Sequence, residues 1–226
     1  MLRGFLSGGM GLIEVVIYIL SSLAVVFLTL PVHEFAHGWA AVKLGDNTPR
    51  WQGRLTLNPF AHIDYLGALC IIVLGFGWAK PVQVNHNNFR NPKRDMAITA
   101  LAGPVSNLIV ALIAKLLGNL VMTVFSGVIG TAAYYIYFFL FYIAEINIYL
   151  AVFNLIPIPP LDGSRLLSAL LPYKYYYMIM RYERMIFWGL IALLWFGVLD
   201  IPLDFLSNAA GSLIDFLAAL PFRFYN

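Results

Sequence analysis

Long apolar runs constrain this sequence more than any other feature, because about 20 apolar residues in a row can cross a bilayer as a helix. The runs are Gly11–Leu30, which continues helically toward Leu44, then Met96–Phe125, Ala132–Ile156 and the shorter Met185–Leu199. Leu203–Leu220 is a further candidate, although it carries Asp204 and Asp215. Backbone groups inside lipid need partners within the chain, which favours helices. The sequence therefore predicts an all-α polytopic membrane protein, a bundle of about four to six transmembrane helices.

The composition agrees with a membrane location. The chain has 61% hydrophobic and 11% charged residues, whereas soluble domains average about 45–50% apolar and about 25% charged. A soluble domain of this size could not bury so much apolar surface. Cys70 is the sole cysteine, so an intramolecular disulfide is excluded. Because the first run leads into a polar motif and not a cleavage site, and no long polar linker follows, we expect one membrane-embedded domain over residues 1–226.

Basic residues indicate which loops are cytoplasmic, because cytoplasmic loops are enriched in Lys and Arg. The segment 126–131 has none, whereas 11 of the 14 basic residues lie in three other loops: Lys43, Arg50, Arg54, Lys80, Arg90, Lys93, Arg94, Arg165, Lys174, Arg181 and Arg184. These three loops are expected to be cytoplasmic. Tyr65–Trp78 lies between two of them and is too short for a comfortable span, so it is predicted to be a re-entrant segment.

A His-Glu-Phe-Ala-His motif stands near the inner end of the first run, at residues 33–37. Residues four apart share one face of a helix, so His33 and His37 can present two imidazoles to one zinc ion. Glu34 lies beside them, in the position of a general base for a zinc-activated water. A satisfied polar cluster is the alternative, but two His and a Glu are costly near hydrocarbon unless they are paired, metal-bound or facing a cavity.

Catalytic zinc takes three protein ligands, so one more is required. His62, His86 and the acidic residues are candidates, and Asp162 is the best placed of them. The predicted topology brings Asp162 to the depth of the two histidines. Prolines at 157, 159 and 160 end the preceding helix, and Gly163 permits a tight turn that directs the carboxylate.

These motifs resemble those of the site-2 protease family of intramembrane zinc metalloproteases. The resemblance rests on the motif at 33–37 and on Asn154 followed by a Leu-Asp-Gly turn at 161–163, with agreement at 103–107 (Gly-Pro-Val-Ser-Asn) and 57–59 (Leu-Asn-Pro). It implies a zinc metalloendopeptidase with one zinc ion per chain, held by His33, His37 and Asp162, and Glu34 as the base. No stretch could hold a PDZ or CBS domain, so the chain resembles the minimal bacterial type.

The resemblance also implies the setting of the reaction. Substrates would be transmembrane or membrane-anchored proteins or peptides, cut by regulated intramembrane proteolysis. The protein would be integral to a bacterial cell membrane, with its active site toward the cytoplasmic side. The family pattern makes Asn154 a candidate donor to the oxyanion; a helix-end cap or an interhelical hydrogen bond is its equal alternative.

Several further expectations concern the remaining polar segments. Arg50–Leu57 alternates enough to be a strand and could pair with Pro81–Val84 in a short cytoplasmic β-hairpin that holds an unwound substrate. Glu145 is expected to pair with Lys115 across the bundle. The tyrosines and arginines of 173–184 predict an interface anchor and no nucleic-acid partner. A membrane zinc transporter and a catalytically silent membrane scaffold are the alternative functions.

Overall fold

The structure is a computed structural model that describes residues 11–74 and 79–223. Its helices, in chain order, are α1 (Leu12–Lys43), α2 (Thr48–Trp51), α3 (Pro59–His62), α4 (Tyr65–Leu74), α5 (Pro92–Phe125), α6 (Ser126–Ile129), α7 (Thr131–Leu155), α8 (Gly163–Leu170), α9 (Tyr173–Arg181), α10 (Glu183–Trp195) and α11 (Asp200–Phe222). A 3-10 turn lies at His86–Asn88. No residue within the two described ranges is in a strand. The all-α prediction is therefore confirmed for this part of the chain.

Four of the described helices, α1, α5, α7 and α11, are long and apolar enough to cross a membrane. The shortest of them, α11, has 23 residues, which at about 1.5 Å per residue exceeds the hydrocarbon core of about 30 Å. Helices α1, α5 and α7 agree with the first three predicted spans, and α11 contains the candidate Leu203–Leu220. This is the arrangement of an integral membrane protein.

The prediction that Met185–Leu199 forms a span is wrong. Helix α10 has only 13 residues, about 20 Å at 1.5 Å per residue. Gly197, at φ 70°, turns the chain after it, and its N–H donates to Leu194 O at 3.1 Å. A glycine in this left-handed conformation is a common way to end a helix.

Helix α11 is the candidate for the last crossing instead, by its length and composition. Near its start, Leu203 packs with Phe153 and Leu161, close to the loop that follows α7. Near its end, the carbonyl of Ala218 accepts a hydrogen bond from Asn119 Nδ2 at 3.0 Å, toward the far end of α5. Helix α11 therefore begins at the level of the Asp162 loop and runs away from it, parallel to α5.

Lys115 is the centre of an ion cluster between α5, α7 and α11. Its Nζ lies 2.8 Å from Glu145 Oε1 and 2.9 Å from Asp215 Oδ1, and it also faces the Phe141 ring at 4.6 Å. Charged groups in a membrane are stable where they pair inside the bundle. The expected pairing of Lys115 with Glu145 is confirmed, and Asp215 is an additional partner.

The two ends of the segment between His62 and Lys80 meet, and its residue Ile71 is buried against Val26 and Leu30 of α1. Lys80 N donates to His62 O at 2.7 Å, which joins the two ends of the segment. Its described helix, α4, has 10 residues, about 15 Å and too short to cross. Residues 75–78 of the predicted re-entrant segment lie outside the described residues, so re-entry into the membrane stays a prediction.

The predicted β-hairpin is not formed. Pro49 lies in the first turn of α2, a position that suits proline, and Gly53 turns the chain at φ 66°. In the second segment, Pro81 has no N–H to donate, and Val82 N donates to a carboxylate of α1 at 2.9 Å. The two segments do lie side by side, since Gln52 Nε2 donates to Gln83 Oε1 at 3.1 Å.

Candidate metal centre

The two histidines of the motif lie one turn apart on α1, just after an irregularity in that helix. Residues Val25–Thr29 form a π-helical turn, in which Leu30 N donates to Val25 O, and Pro31 follows directly. A wider turn accommodates a proline ring that would otherwise clash with the preceding carbonyl. Helix α1 therefore continues through Pro31, and both imidazoles face the interior, with His33 at 5% and His37 at 3% exposure.

Asp162 meets both imidazoles. Its Oδ2 is 3.2 Å from His33 Nε2 and 3.1 Å from His37 Nε2, and the two Nε2 atoms are 3.1 Å apart. Three atoms bound to one zinc ion at about 2.0–2.1 Å in tetrahedral geometry are separated by about 3.3 Å. These three side chains form a group that could hold a metal ion, and the observed spacing fits zinc.

The loop after α7 delivers Asp162 to this point. The helix stops at Leu155, and the short proline-rich segment turns back so closely that a Cβ on Gly163 would lie 2.5 Å from the Ile156 carbonyl oxygen. Glycine is therefore required at the start of α8. Burial would raise the pKa of Asp162, but His37 and His33 outweigh it and hold that pKa well below its usual range. A carboxylate that binds a metal ion does so in its ionised form.

Helix α5 supplies the surroundings of the histidines. His37 Nδ1 donates to the Thr99 carbonyl at 2.7 Å, which leaves Nε2 as the nitrogen available to a metal, an arrangement typical of histidine ligands. Gly103 allows the close approach of α5, since a Cβ there would lie 2.6 Å from Cε1 of both His33 and His37. His33 Nδ1 is buried with no partner among the described residues.

Glu34 is buried beside the histidines, and its Oε2 accepts a hydrogen bond from Val82 N at 2.9 Å. A cavity of about 460 Å³ joins this residue to the ligand group. Asn154, at the end of α7, lines the same cavity, as do His33 and Asp162. The candidate base and the candidate oxyanion donor therefore share one chamber with two of the three candidate ligands.

A further wall of this chamber comes from α10, which sequence reasoning missed. It contributes Glu183, Arg184, Phe187, Trp188, Leu190 and Ile191. The apolar character of this segment indicated a membrane span. No local sequence pattern shows that a short apolar helix lies over the candidate metal site. The Thr99 carbonyl and Val82 N–H were missed as well, because any residue carries those groups.

The other histidines do not join the ligand group. His62 is buried and its Nε2 pairs with the Thr56 carbonyl at 2.9 Å, which agrees with the interpretation of His62 as a hydrogen-bonding loop residue. His86 lies in the 3-10 turn and lines a different cavity. Asn107 Nδ2 has no partner among the described residues.

Comparison with known proteins identifies the family. The sequence profile of Peptidase family M50 matches residues 114–196, which include Asn154 and Asp162 and follow the motif at 33–37. YwhC of Bacillus subtilis (strain 168), named as a proposed zinc metalloprotease, is 44% identical over 159 residues, which are 69% of this chain and 73% of YwhC. The chain belongs to peptidase family M50.

More distant relatives carry similar names. The proposed zinc metalloproteases called Rip2 in Mycolicibacterium smegmatis and Mycobacterium tuberculosis are 27% and 28% identical over 141 residues, which are 60% of this chain and 51% of each relative. No solved structure matches the chain. This M50 protein is a membrane metallopeptidase of the site-2 protease type that uses zinc, which favours the protease over the transporter and scaffold alternatives.

Proposed function

We propose that the chain is an intramembrane zinc endopeptidase in which His33, His37 and Asp162 hold one zinc ion and Glu34 is the general base. One observation carries the proposal. Three ligand atoms from α1 and from the start of α8, distant in sequence, lie within 3.2 Å of one another. Glu34 and Asn154 line the same cavity as two of these ligands.

A zinc ion bound by these residues supplies Lewis-acid activation of water and of the substrate carbonyl. The residues of the chain do the rest. Val82 N holds Glu34 Oε2, so Glu34 is oriented before substrate arrives. Its carboxylate accepts a proton from the attacking water and then gives that proton to the nitrogen of the leaving amine. The proton balance of peptide hydrolysis is thereby complete within one side chain.

Asn154 is proposed as the donor that stabilises the oxyanion. It lies at the end of α7 and lines the same cavity as Asp162. An amide donor of this kind contributes about 3 kcal/mol when aimed at the developing charge. The alternative is that Asn154 is structural and bonds to the helix end. In that case Asn154→Ala would lower the stability of the protein without a selective loss in kcat.

The substrates are proposed to be transmembrane or membrane-anchored proteins. The cavity is walled by α1, by the end of α7 and by α10, whose lining side chains are apolar except for Glu183 and Arg184 at its start. An unwound membrane segment could therefore reach the ligand group along a largely apolar wall. The basic residues that surround this end of the bundle support a cytoplasmic active site in a bacterial membrane. Re-entry of 65–78 and a single domain over 1–226 belong to the same proposal.

Glu34→Gln tests the assigned chemistry. The purified variant should retain one zinc ion per chain by elemental analysis, whereas cleavage of a membrane-anchored model substrate in proteoliposomes should fall by about 10²–10⁴-fold. Glu14→Gln, a carboxylate change on the same helix, is the matched control and should cleave at the parent rate. A Glu34→Gln protein that cuts as fast as the parent would exclude Glu34 as the base.

The same variant can identify substrates. Membrane proteomes of cells expressing the parent or Glu34→Gln are compared for truncated fragments, and fragment ends found only with the parent mark cleavage sites. These ends should map inside or at the border of apolar segments. Ends confined to soluble domains would contradict the proposed substrate class.

A further inference from the structure

A second cavity lies at the same end of the bundle, between the turn at His86–Asn88, the start of α5, and helices α8 and α9. Its volume is about 260 Å³. Three of its lining residues are basic, namely His86, Lys93 and Arg165, and two more carry hydroxyl groups, namely Ser168 and Tyr176. No carboxylate is among the described residues that line it. We call this space the basic cavity.

The fold holds the Lys93 ammonium of the basic cavity and the backbone of Arg165 in defined positions. Lys93 Nζ donates to the Leu171 carbonyl at 3.1 Å, which ties the start of α5 to the end of α8. Arg165 is in the first turn of α8, where its N–H donates to Asp162 O at 2.9 Å. Helix α5 also begins here, so its partial positive charge adds to that of the side chains.

The nearest acidic residue of α5 is engaged elsewhere. Asp95 Oδ2 accepts a hydrogen bond from Asn91 N at 2.9 Å, and Oδ1 lies 3.3 Å from Arg94 Nε. Asp95 does not line the basic cavity. The cavity therefore presents a concentration of basic side chains, which favours an anion. The Ser168 hydroxyl already donates to the Arg165 carbonyl at 2.6 Å, so the basic side chains carry the attraction.

We propose that the basic cavity binds a phosphate group, carried by the headgroup of an anionic lipid or by a small soluble phosphate compound. Its volume is below the range of about 300–1,000 Å³ for drug-sized ligands, which suits a small headgroup or a free phosphate. Met96 and Met180 complete the wall with apolar surface. Basic recesses beside membrane helices are a recurring type of headgroup site.

The surroundings of the basic cavity fit a membrane surface. Helix α9, which contributes Tyr176 and Met180, exposes Tyr175 and Met178 at 52% and 54%. A short helix with aromatic, apolar and basic residues suits the headgroup region. Since α8 carries Arg165 and Ser168 and starts next to Asp162, a bound phosphate would also brace that helix.

Ligand binding to the full-length protein in detergent tests the proposal. The anionic probes are dioleoylphosphatidylglycerol and inorganic phosphate, and the neutral probe is dioleoylphosphatidylcholine. Native mass spectrometry gives the stoichiometry of binding, and thermal unfolding at increasing probe concentrations gives the affinity. At least one anionic probe should occupy one tight site, which phosphatidylcholine does not fill. Lys93→Gln and, separately, His86→Gln should weaken binding by roughly fivefold to tenfold.

Lys174→Gln is the matched control, because Lys174 is an exposed basic residue of α9 that does not line the cavity. It should bind as the parent does. Binding of phosphatidylglycerol alone identifies a lipid site, and competition by inorganic phosphate identifies a site for soluble phosphate as well. The proposal is overturned if neither anionic probe binds, if both cavity variants bind like the parent, or if a hexaglutamate peptide binds while both phosphate probes fail.

Discussion

Gly103 is where the close packing of α5 against the histidines depends on a single missing side chain. A Cβ at this position would lie 2.6 Å from Cε1 of both rings, and the backbone of α5 cannot easily retreat because His37 is tied to the Thr99 carbonyl. Gly103→Ala should therefore displace the imidazoles and lower zinc affinity at least tenfold. The overpacking itself should cost about 1–3 kcal/mol of stability.

Gly189→Ala is the control for this substitution. Gly189 also lies within a helix, α10, but a Cβ there would meet nothing within 4 Å, so zinc content and stability should equal or exceed those of the parent. Zinc per chain is measured by elemental analysis during competition with a chelator. If Gly103→Ala holds zinc as firmly as the parent, the close approach of α5 has no bearing on the ligands.

Asp46 organises the loop after α1. Its carboxylate accepts hydrogen bonds from Thr48 N at 3.0 Å, Asn85 N at 2.7 Å and Asn88 Nδ2 at 2.7 Å. Burial alone would raise the pKa of Asp46, but these bonds and that from the Thr48 hydroxyl lower it. The stabilisation is therefore present above the unfolded value of about 3.9 and is lost as pH falls through the lower folded value.

Asp46→Asn should accordingly destabilise the protein by about 1.5–3 kcal/mol at pH 7, the contribution of hydrogen bonds to a charged group. The difference in free energy of unfolding between parent and variant should shrink toward pH 3. Unfolding in detergent across this range measures it, and loss of zinc in acid affects both proteins equally. A difference that stays constant with pH would mean that the charge of Asp46 contributes nothing.

The side chains that meet in the candidate ligand group could be named from the sequence because their chemistry is specific, and zinc binding by them stays a prediction. His33 and His37 are four residues apart, which places them on one face of any helix. A Leu-Asp-Gly turn after prolines indicates that the Asp162 carboxylate is held in a fixed direction. The groups that orient them were not predictable. The Thr99 carbonyl and the Val82 N–H belong to the backbone, so their partners depend on how α5 and the segment after α4 pack against α1.

At the scale of elements, the sequence misassigned the last crossing for a clear reason. Met185–Leu199 contains no charged residue inside its apolar core, whereas α11 carries Asp200, Asp204 and Asp215. A hydropathy scale counts every aspartate as unfavourable for a membrane span. Asp215, however, has a cationic partner, since its Oδ1 lies 2.9 Å from Lys115 Nζ. Pairing across helices lets α11 cross with its charge, and pairing partners from different helices are not visible in one run of sequence.

Lys115→Met tests how far this ion cluster holds α11 to α5 and α7. The substitution leaves Glu145 and Asp215 facing each other without a cation. Lys115 itself is only 9% exposed, and the exposed parts of both carboxylates face lipid where these helices cross the membrane, so we expect a loss near the roughly 3–5 kcal/mol of buried pairs that lose one partner. Unfolding in mixed detergent micelles measures the loss.

Neutralising both carboxylates in the Lys115→Met background, with Glu145→Gln and Asp215→Asn, should restore much of the stability, because no unpaired charge then remains. This triple variant separates electrostatics from packing. If it is as unstable as Lys115→Met alone, the Lys115 side chain acts through its packing on Phe141 and the ion pairs are incidental.

At the scale of the whole molecule, the assignment of the last crossing decides on which side of the membrane the turn after α10 lies. If Met185–Leu199 crossed, residues near 198 would be on the side opposite the metal centre. With α11 as the crossing, Leu199 packs in the cluster of Phe153 and Leu161, so the turn is on the same side as the metal centre. Val198 is 58% exposed and is a suitable reporter.

Val198→Cys in a Cys70→Ser background discriminates between these two arrangements. A membrane-impermeant maleimide should label it from the same side as Lys174→Cys, which lies in the basic loop before α10, and from the side opposite Gly127→Cys, which lies between α5 and α7. The turn faces that side because α10, at about 20 Å, is too short to carry it across. Labelling of Val198→Cys from the same side as Gly127→Cys would mean that α10 and its flanks span the bilayer. In that case α10 could not form a wall of the cavity next to Glu34, and the packing of Leu203 on Phe153 would not hold.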